Sequence, residues 1–137
     1  MEKRFEELDR SECLRLLAGE RLGRLGVVID GTPLILPMQF ALDEDRVVLR
    51  TNPGAKFHSA PLAHVSFEVD HAESDRDEGW SVIVQGVAED ISNAIDDRSQ
   101  HLRALPLYSW APDPKSCWLT IVPRTITGRR VIALPHP

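Results

Sequence analysis

The sequence predicts a mainly β protein with peripheral helices, built as an antiparallel barrel or sandwich. Strand-like runs follow one another with no regular helical crossover, which disfavours a doubly wound parallel sheet. In "VSFEVD", Val65, Phe67 and Val69 alternate strictly with Ser66, Glu68 and Asp70, the period of a half-buried strand. "LGVVID" and "PLILPMQFAL" flank "DGT", the residues of a tight hairpin turn. The 137 residues suit one domain, 1–137, large enough for a core without staples.

The first element reads as a helix. Asp9 caps it and Glu12 completes a D-x-x-E capping box, while Leu8 and Cys13 stand where a hydrophobic staple sits. Cys13, Leu14, Leu16, Leu17 and Leu22 supply an apolar stripe, and Gly19 or Gly23 ends it. Strand character follows. Pro37 inside the second run predicts an edge, a bulge or a bend. "DED" turns the chain into "RVVLRT", and "GAKFHSA" reads as a short helical connection closed by Pro61. After "VSFEVD", "HAESDRDEG" reads as a solvated loop. "WSVIVQGVAEDI" is the longest strand candidate, with Gly86 marking a bulge or bend. "SNAIDDRSQHLRALP" reads as a helix capped by Ser92, "PLYSWAPDPK" as an irregular loop, and "SCWLTIVP" and "ITGRRVIAL" as two closing strands.

The net charge of −5 gives no general attraction to nucleic acid. The charged start "MEKRFEELDR" has no apolar signal region, and no apolar run approaches a membrane span. Cys13 and Cys117 lie far apart with no zinc spacing, so two free thiols in a cytoplasmic protein are expected. The five histidines form no H-E-x-x-H and pair with no cysteine, so no metal site is expected.

One stretch stands out in this acidic chain. From Arg46 to Phe67 there is no Asp or Glu, and "VVLRTNPGAKF" runs a strand into Arg50, Thr51, a Pro-Gly turn and Lys56. Two cations, a hydroxyl and helix-start amides can hold a phosphate. A solvated strand-to-helix corner with incidental charges fits the same residues, and the Walker spacing is absent. No G-x-S-x-G or C-x-x-C occurs, and no acid pair separates from the charge runs. Trp80, Trp110 and Trp118 fit a planar ligand, a subunit interface or ordinary packing alike. Any redox or transfer chemistry therefore calls for a cofactor, and no catalytic residue is named.

In order and spacing, "ERLGRLGVV", "LILPMQFAL", "VVLRTNPGAKF", "VSFEVD", "GWSVIVQGVAED" and "WLTIVPRTITGRR" resemble the pyridoxamine 5′-phosphate oxidase-like, FMN-binding split-barrel superfamily. The likeness is to its small bacterial members, including the group related to nitroimidazole-resistance proteins, and runs from about Leu8 to Val131. It implies a six-stranded antiparallel split β-barrel with peripheral helices, forming a homodimer with FMN at the interface. It places the backbone of Pro37, Met38, Gln39 and Phe40 along the flavin edge. Arg50, Thr51 and Lys56 fall at the phosphate and ribityl chain, Trp80 and Ser81 at contacts from the partner subunit, and Arg129 near the flavin from the C-terminal strand.

The chain departs from the biosynthetic oxidases in several places. Ala55 stands for their serine, Lys56 alone for a basic pair, and Trp80-Ser81 for Arg-Gln. "TGRRVIALPHP" replaces the F-W-Q-G and R-L-H elements that hold the substrate. The resemblance thus extends to the flavin and not to pyridoxamine phosphate. It implies a flavin-dependent oxidoreductase acting on a small molecule. A deazaflavin-dependent reductase, a non-enzymatic flavin or haem binder, and a cofactor-free dimer are the alternatives.

Overall fold

A computed structural model describes residues 2–51, 63–107 and 117–134. The Pro-Gly turn, Ala55, Lys56, the "GAKFHSA" segment, His58, most of the "PLYSWAPDPK" loop with Trp110, and His136 lie outside the described residues. The elements are β1 (Lys3–Leu8), α1 (Arg10–Ala18), β2 (Leu22–Ile29), β3 (Thr32–Asp43), β4 (Arg46–Thr51), β5 (Ala63–Glu73), a 3₁₀ turn (Ser74–Arg76), β6 (Glu78–Asp90), α2 (Asp97–Arg103) and β7 (Cys117–Ala133).

Every strand pairing is antiparallel. The order is β1-β7-β4-β3-β2-β5-β6, and β6 pairs back onto β7. Six strands, β2 to β7, therefore close into a barrel, and β1 is an addition to it. One edge of β7 serves β4 over Cys117–Ile121 and β1 over Gly128–Ala133, and its other edge carries β6 over Leu119–Val131. The stretch 122–127 has a strand on one side only among the described residues, and this is the split. The fold is the split barrel with peripheral helices that the resemblance implied.

Local chemistry explains several elements. Asp30 and Gly31 both have positive φ (51° and 77°), which makes the two-residue β2–β3 hairpin with Ile29 opposite Thr32. Asp9 caps α1 by accepting from the Glu12 N–H at 2.8 Å. Gly19 ends the helix. The bulge expected at Gly86 is present: Gln85 faces Thr125 and Gly86 faces Pro123, so Arg124 is the extra residue. A Cβ on Gly86 would collide with the Val122 carbonyl.

Several expectations are corrected. The charged N-terminal segment before Asp9 is strand β1, held by its ladder to β7. Leu22 opens β2 and is not part of the helical stripe. Glu12 caps nothing with its side chain; Arg15 and Arg130 engage it. "HAESDRDEG" is largely ladder, with β5 and β6 paired out to Glu73 and Glu78. Ser92 does not cap α2. Asp96 does, and the Ser92 hydroxyl accepts from the Trp118 N–H instead. "SCWLTIVP" and "ITGRRVIAL" form one strand, β7, which displaces β6 as the longest.

The interior is filled from all sides: Leu25 and Val27 of β2, Phe40 of β3, Val47 and Leu49 of β4, Phe67 of β5, Val82 and Val84 of β6, and Ile121 of β7. Helix α1 adds fully buried Cys13 and Leu17. It packs so close that a Cβ on Gly128 would meet the Cys13 sulfur at 2.7 Å. A second cluster lies outside the barrel wall, where Ile91, Leu102 and Leu107 cover Val48 and Trp118 packs beside them. The outer face of β4 is thereby sealed. The outer face running from β3 through β2, β5 and β6 to β7 has no such cover among the described residues. It leaves Ile35 73%, Val28 66% and Ile83 38% exposed.

Two measurements test this account. Gly86→Ala forces backbone apart and should destabilise by about 1–3 kcal/mol in urea unfolding. Gly19→Ala, at an ordinary helical φ, should be neutral or stabilise by about 0.4–1 kcal/mol. The hydrogen bonds from Arg15 and then Arg130 hold the Glu12 carboxyl down at about 2, from an ordinary 4.5. A lowered acid adds stability above its unfolded value, and that stability is lost as pH falls through the folded value. Thermal melts should therefore drop between about pH 4.5 and about pH 2, and Glu12→Gln should remove that part of the drop.

Candidate functional site

The candidate residues fall into two groups on different parts of the wall. The first lies where β3 runs past β4. The β3–β4 ladder begins at Phe40 opposite Leu49, so among the described residues Pro37, Met38 and Gln39 pair with β2 alone, opposite Arg24, Gly23 and Leu22. A proline fits a stretch paired on one side only, where its missing N–H breaks no two-sided ladder. Strand alternation turns Phe40 and Met38 inward, and Phe40 meets Phe67 edge-on at 5.0 Å. Pro37 and Gln39 take the outer side. Continuing the β3–β4 register sets Gln39 level with Arg50 and Met38 level with Thr51.

Arg50 and Thr51 end β4 and diverge for the same reason. Thr51 is buried, 5% exposed, opposite Cys117. Arg50 points outward. Its Nη1 donates to the Leu107 carbonyl at 2.8 Å, and its guanidinium sits 4.9 Å from the centroid of the Trp118 ring, directly across on β7. Trp118 and Leu107 thus orient Arg50. Sequence reading weighed Trp118 only as a packing or ligand ring, since nothing local marks it as the partner of Arg50.

The second group lies on β6 and β7. Ser81 stands directly opposite Arg129. Both line a cavity of about 580 Å³, with Glu7, Ile83 and Thr127 among its other walls. Trp80, one residue earlier, turns the other way. It packs against the interior cluster and stacks on His71 with centroids 6.5 Å apart. The neighbours Trp80 and Ser81 therefore do not present their side chains to the same space. A second hollow, about 490 Å³, opens beside the β2–β3 hairpin between Val28, Ile35, His64 and Gln85.

Between the groups lies a feature the sequence reading passed over. Glu68 and Asp70 point outward from β5, and Arg24 of β2 reaches both, Nη1 lying 3.5 Å and 3.4 Å from their carboxylates. Partial burial, then the hydrogen bond and charge of Asp70, push the Glu68 carboxyl up to about 7, against the opposing pull of Arg24. The signal was available as E-x-D on the polar side of an alternating strand.

The structure does not bring the two groups together in one chain. From Arg50 on β4 to Ser81 on β6 there are four strand spacings by way of β3, β2 and β5, roughly 19 Å around a convex wall. By way of β7 there are only two spacings, but the path runs from Trp118 along the strand to Arg129. No group of three or more metal-ligating side chains occurs among the described residues. His71 pairs with Glu73 at 2.8 Å and His101 with Asp43 at 3.2 Å. No helix among the described residues is long and apolar enough to cross a membrane.

Known proteins share this fold. Residues 9–130 match the family described as pyridoxamine 5′-phosphate oxidase. Uncharacterized protein Rv0080 of Mycobacterium tuberculosis is 33% identical over 134 residues, 93% of this chain and 86% of that protein. An FAD binding protein from Mycobacterium smegmatis superposes with a TM-score of 0.76 at 35% identity, covering 91% of this chain and 98% of that one. A Corynebacterium glutamicum protein provisionally named a pyridoxamine 5′-phosphate oxidase gives 0.81 at 30% identity, covering 95% and 100%. The chain belongs to the pyridoxamine 5′-phosphate oxidase family.

The raised Glu68 makes a distinct prediction. Its stabilising contribution is complete below about pH 4.5 and is lost as pH rises through about 7. Chemical denaturation should show stability falling across that window, and Glu68→Gln should flatten the fall. An unchanged slope would show that Glu68 titrates like an exposed carboxylate.

Proposed function

We propose that this member of the pyridoxamine 5′-phosphate oxidase family binds a flavin nucleotide, FMN in the first instance, between two copies of the chain. We propose further that it serves as an oxidoreductase for a small molecule. The observation that carries the reading is the separation of the two residue groups. Outward-facing Arg50 lies on one part of a convex wall and Ser81 and Arg129 on another, so one ligand touches both only if a second copy supplies one of them; Thr51, buried beside Arg50, contributes its side chain to the interior. The similarity to an FAD binding protein over nearly the whole chain supports a flavin.

The residues present fit such a group. The cavity of about 580 Å³ beside Ser81 and Arg129 lies in the range of small-molecule sites. It is bounded by the Arg129 cation with the Glu7 carboxylate on the facing strand, the Ser81 hydroxyl and apolar Ile83. Arg50 presents a planar fork of N–H donors, and its Nη1 donates to the Leu107 carbonyl. Held there by Trp118, it meets a phosphate with little further loss of rotamer freedom. By the resemblance, Lys56, six residues after Arg50 in the sequence, would add a second charge to that phosphate. The backbone of Pro37 to Gln39, free of β4, offers amide and carbonyl groups to a ring edge. Arg129, opposite Ser81, is placed to offset negative charge on the other side. When bound, the flavin supplies the hydride or electron transfer. The chain's own part is to bind, orient and shield it. Pyridoxamine phosphate is not the proposed substrate, because the C-terminal elements that hold it are replaced.

Titration of the purified chain with FMN and FAD, followed by flavin fluorescence, tests the reading. Lys56→Ala removes one charge-assisted contact of about 1.5–3 kcal/mol, so affinity should fall roughly 10-fold to 150-fold. Arg50→Ala with Lys56→Ala should lower it further while circular dichroism stays native. Arg50→Ala and Arg129→Ala chains, each weak alone, should recover one good site when mixed if the two residues serve a shared ligand. Absence of flavin binding at micromolar concentration, or binding of a deazaflavin coenzyme in its place, would overturn the flavin assignment.

A further inference from the structure

Resting on the reading that two copies meet across the open outer face, we propose that Arg24, Glu68 and Asp70 form a proton-dependent latch. The two copies hold each other more tightly when the carboxylate pair carries a shared proton. The proposal concerns regulation of the site and not its chemistry.

The geometry is that of too many anions for one cation. Glu68 and Asp70 are two residues apart on β5 and stand on the same side of the sheet. A single guanidinium, Arg24, lies 3.5 Å from one and 3.4 Å from the other. With both carboxylates ionised the cluster carries a net negative charge, and with one proton it is neutral. Of the other groups near the pair, His71 is drawn first to Glu73 and then to Glu20, and only last to Asp70. From β6 the outward residues are Ser81, Ile83 and Gln85, all uncharged. From β3, beyond Arg24, they are Pro37 and Gln39, also uncharged. Arg129 stands one strand further away, across from Ser81 and beside Glu7 of β1. On β5 itself His64 lies four residues before Glu68. His71, next to Asp70, turns to Glu73 and Glu20.

The position of the cluster gives the charge its consequence. A continuous cross-strand row runs Pro37, Arg24, Glu68, Ile83, Thr127. The latch therefore sits midway between the two groups of site residues, on the face whose exposed apolar side chains are Ile83, Val28 and Ile35. Seating a second copy there removes water from side chains that are 32% and 44% exposed in the single chain. Lost hydration penalises an unbalanced anion and favours its protonated form. Glu68 already titrates near about 7 in the single chain. A modest further burial moves proton uptake across the neutral range. Two symmetric copies take up as many as two protons, so association weakens as pH rises, by at most about a hundredfold per pH unit.

Sedimentation velocity over a dilution series of the full chain, at about pH 6 and about pH 8.5, reads this directly. The dimer dissociation constant should rise at least roughly tenfold between the two. Glu68→Gln, a neutral isostere, should give the tight low-pH constant at both values. Glu44→Gln, on the distant β3–β4 turn, should behave as the parent. A dimer with the same constant at both pH values, or a Glu68→Gln chain that keeps the parent's dependence, overturns the latch and leaves the two-copy reading standing. A chain that is monomeric at every pH and concentration overturns both.

Discussion

The structure depends on the closure of β6 onto β7. Without that ladder the seven strands are an open, curled sheet with two edges. With it, the sheet has an inside that Phe67, Leu49 and Val82 can fill. The closure runs almost the full length of both strands and must bend to follow the barrel. The bend is made at one place, where Arg124 is extra and Gly86 lets the Val122 carbonyl approach closer than any Cβ allows. Strand β7 then does three jobs along its length. It receives β4 at its start, β6 along most of one edge, and β1 at its end.

A closed barrel fixes which residues can cooperate. Alternation sends every second side chain inward, and those are spent on the core. Thr51 and Trp80 are drawn in this way, while their neighbours Arg50 and Ser81 are turned out. Because the wall is convex, outward residues on separate strands diverge. A ligand larger than a few atoms is surrounded only where two such walls face each other or where a loop folds over. That constraint favours, for the proposed binding, the face from β3 to β7 that has no cover among the described residues. Helix α2 sits elsewhere: its Leu102, with Ile91 from the segment after β6, seals the outer side of β4, and Leu107, beyond the helix end, accepts a hydrogen bond from Arg50.

What could be read in the sequence was local. The Asp9 cap, the Asp30-Gly31 turn, the alternation from Val65 to Val69 and the bulge at Gly86 each involve a few adjacent residues with strong preferences. What could not be read was decided at a distance. "KRFEEL" has no strand signal of its own and is a strand because Lys3 to Leu8 find β7. Pro123 looked like a break in the last strand, and it is tolerated because it lies at the bulge. Ser92 has the chemistry of a helix cap, but the Trp118 N–H claims it. The site shows the same divide. Its basic corner was visible in "VVLRTNPGAKF". The pairing of Ser81 with Arg129, and the hold of Trp118 on Arg50, exist only once the ladder registers are known.

The same registers place the Arg24, Glu68 and Asp70 cluster at the centre of the open face, and its composition bears on what that face is for. A surface meant only for water tolerates two carboxylates and one arginine at little cost, because solvent screens the imbalance. A surface buried once and for all would favour a matched pair or apolar side chains, since an unbalanced buried charge is expensive. The cluster fits neither limit. Its surplus carboxylate is half-shielded already, by packing and by a neighbour of like charge, and one proton removes the imbalance. Such a surface suits contact that forms and releases, and the loading of a cofactor between two copies, as proposed, would need a contact of that kind.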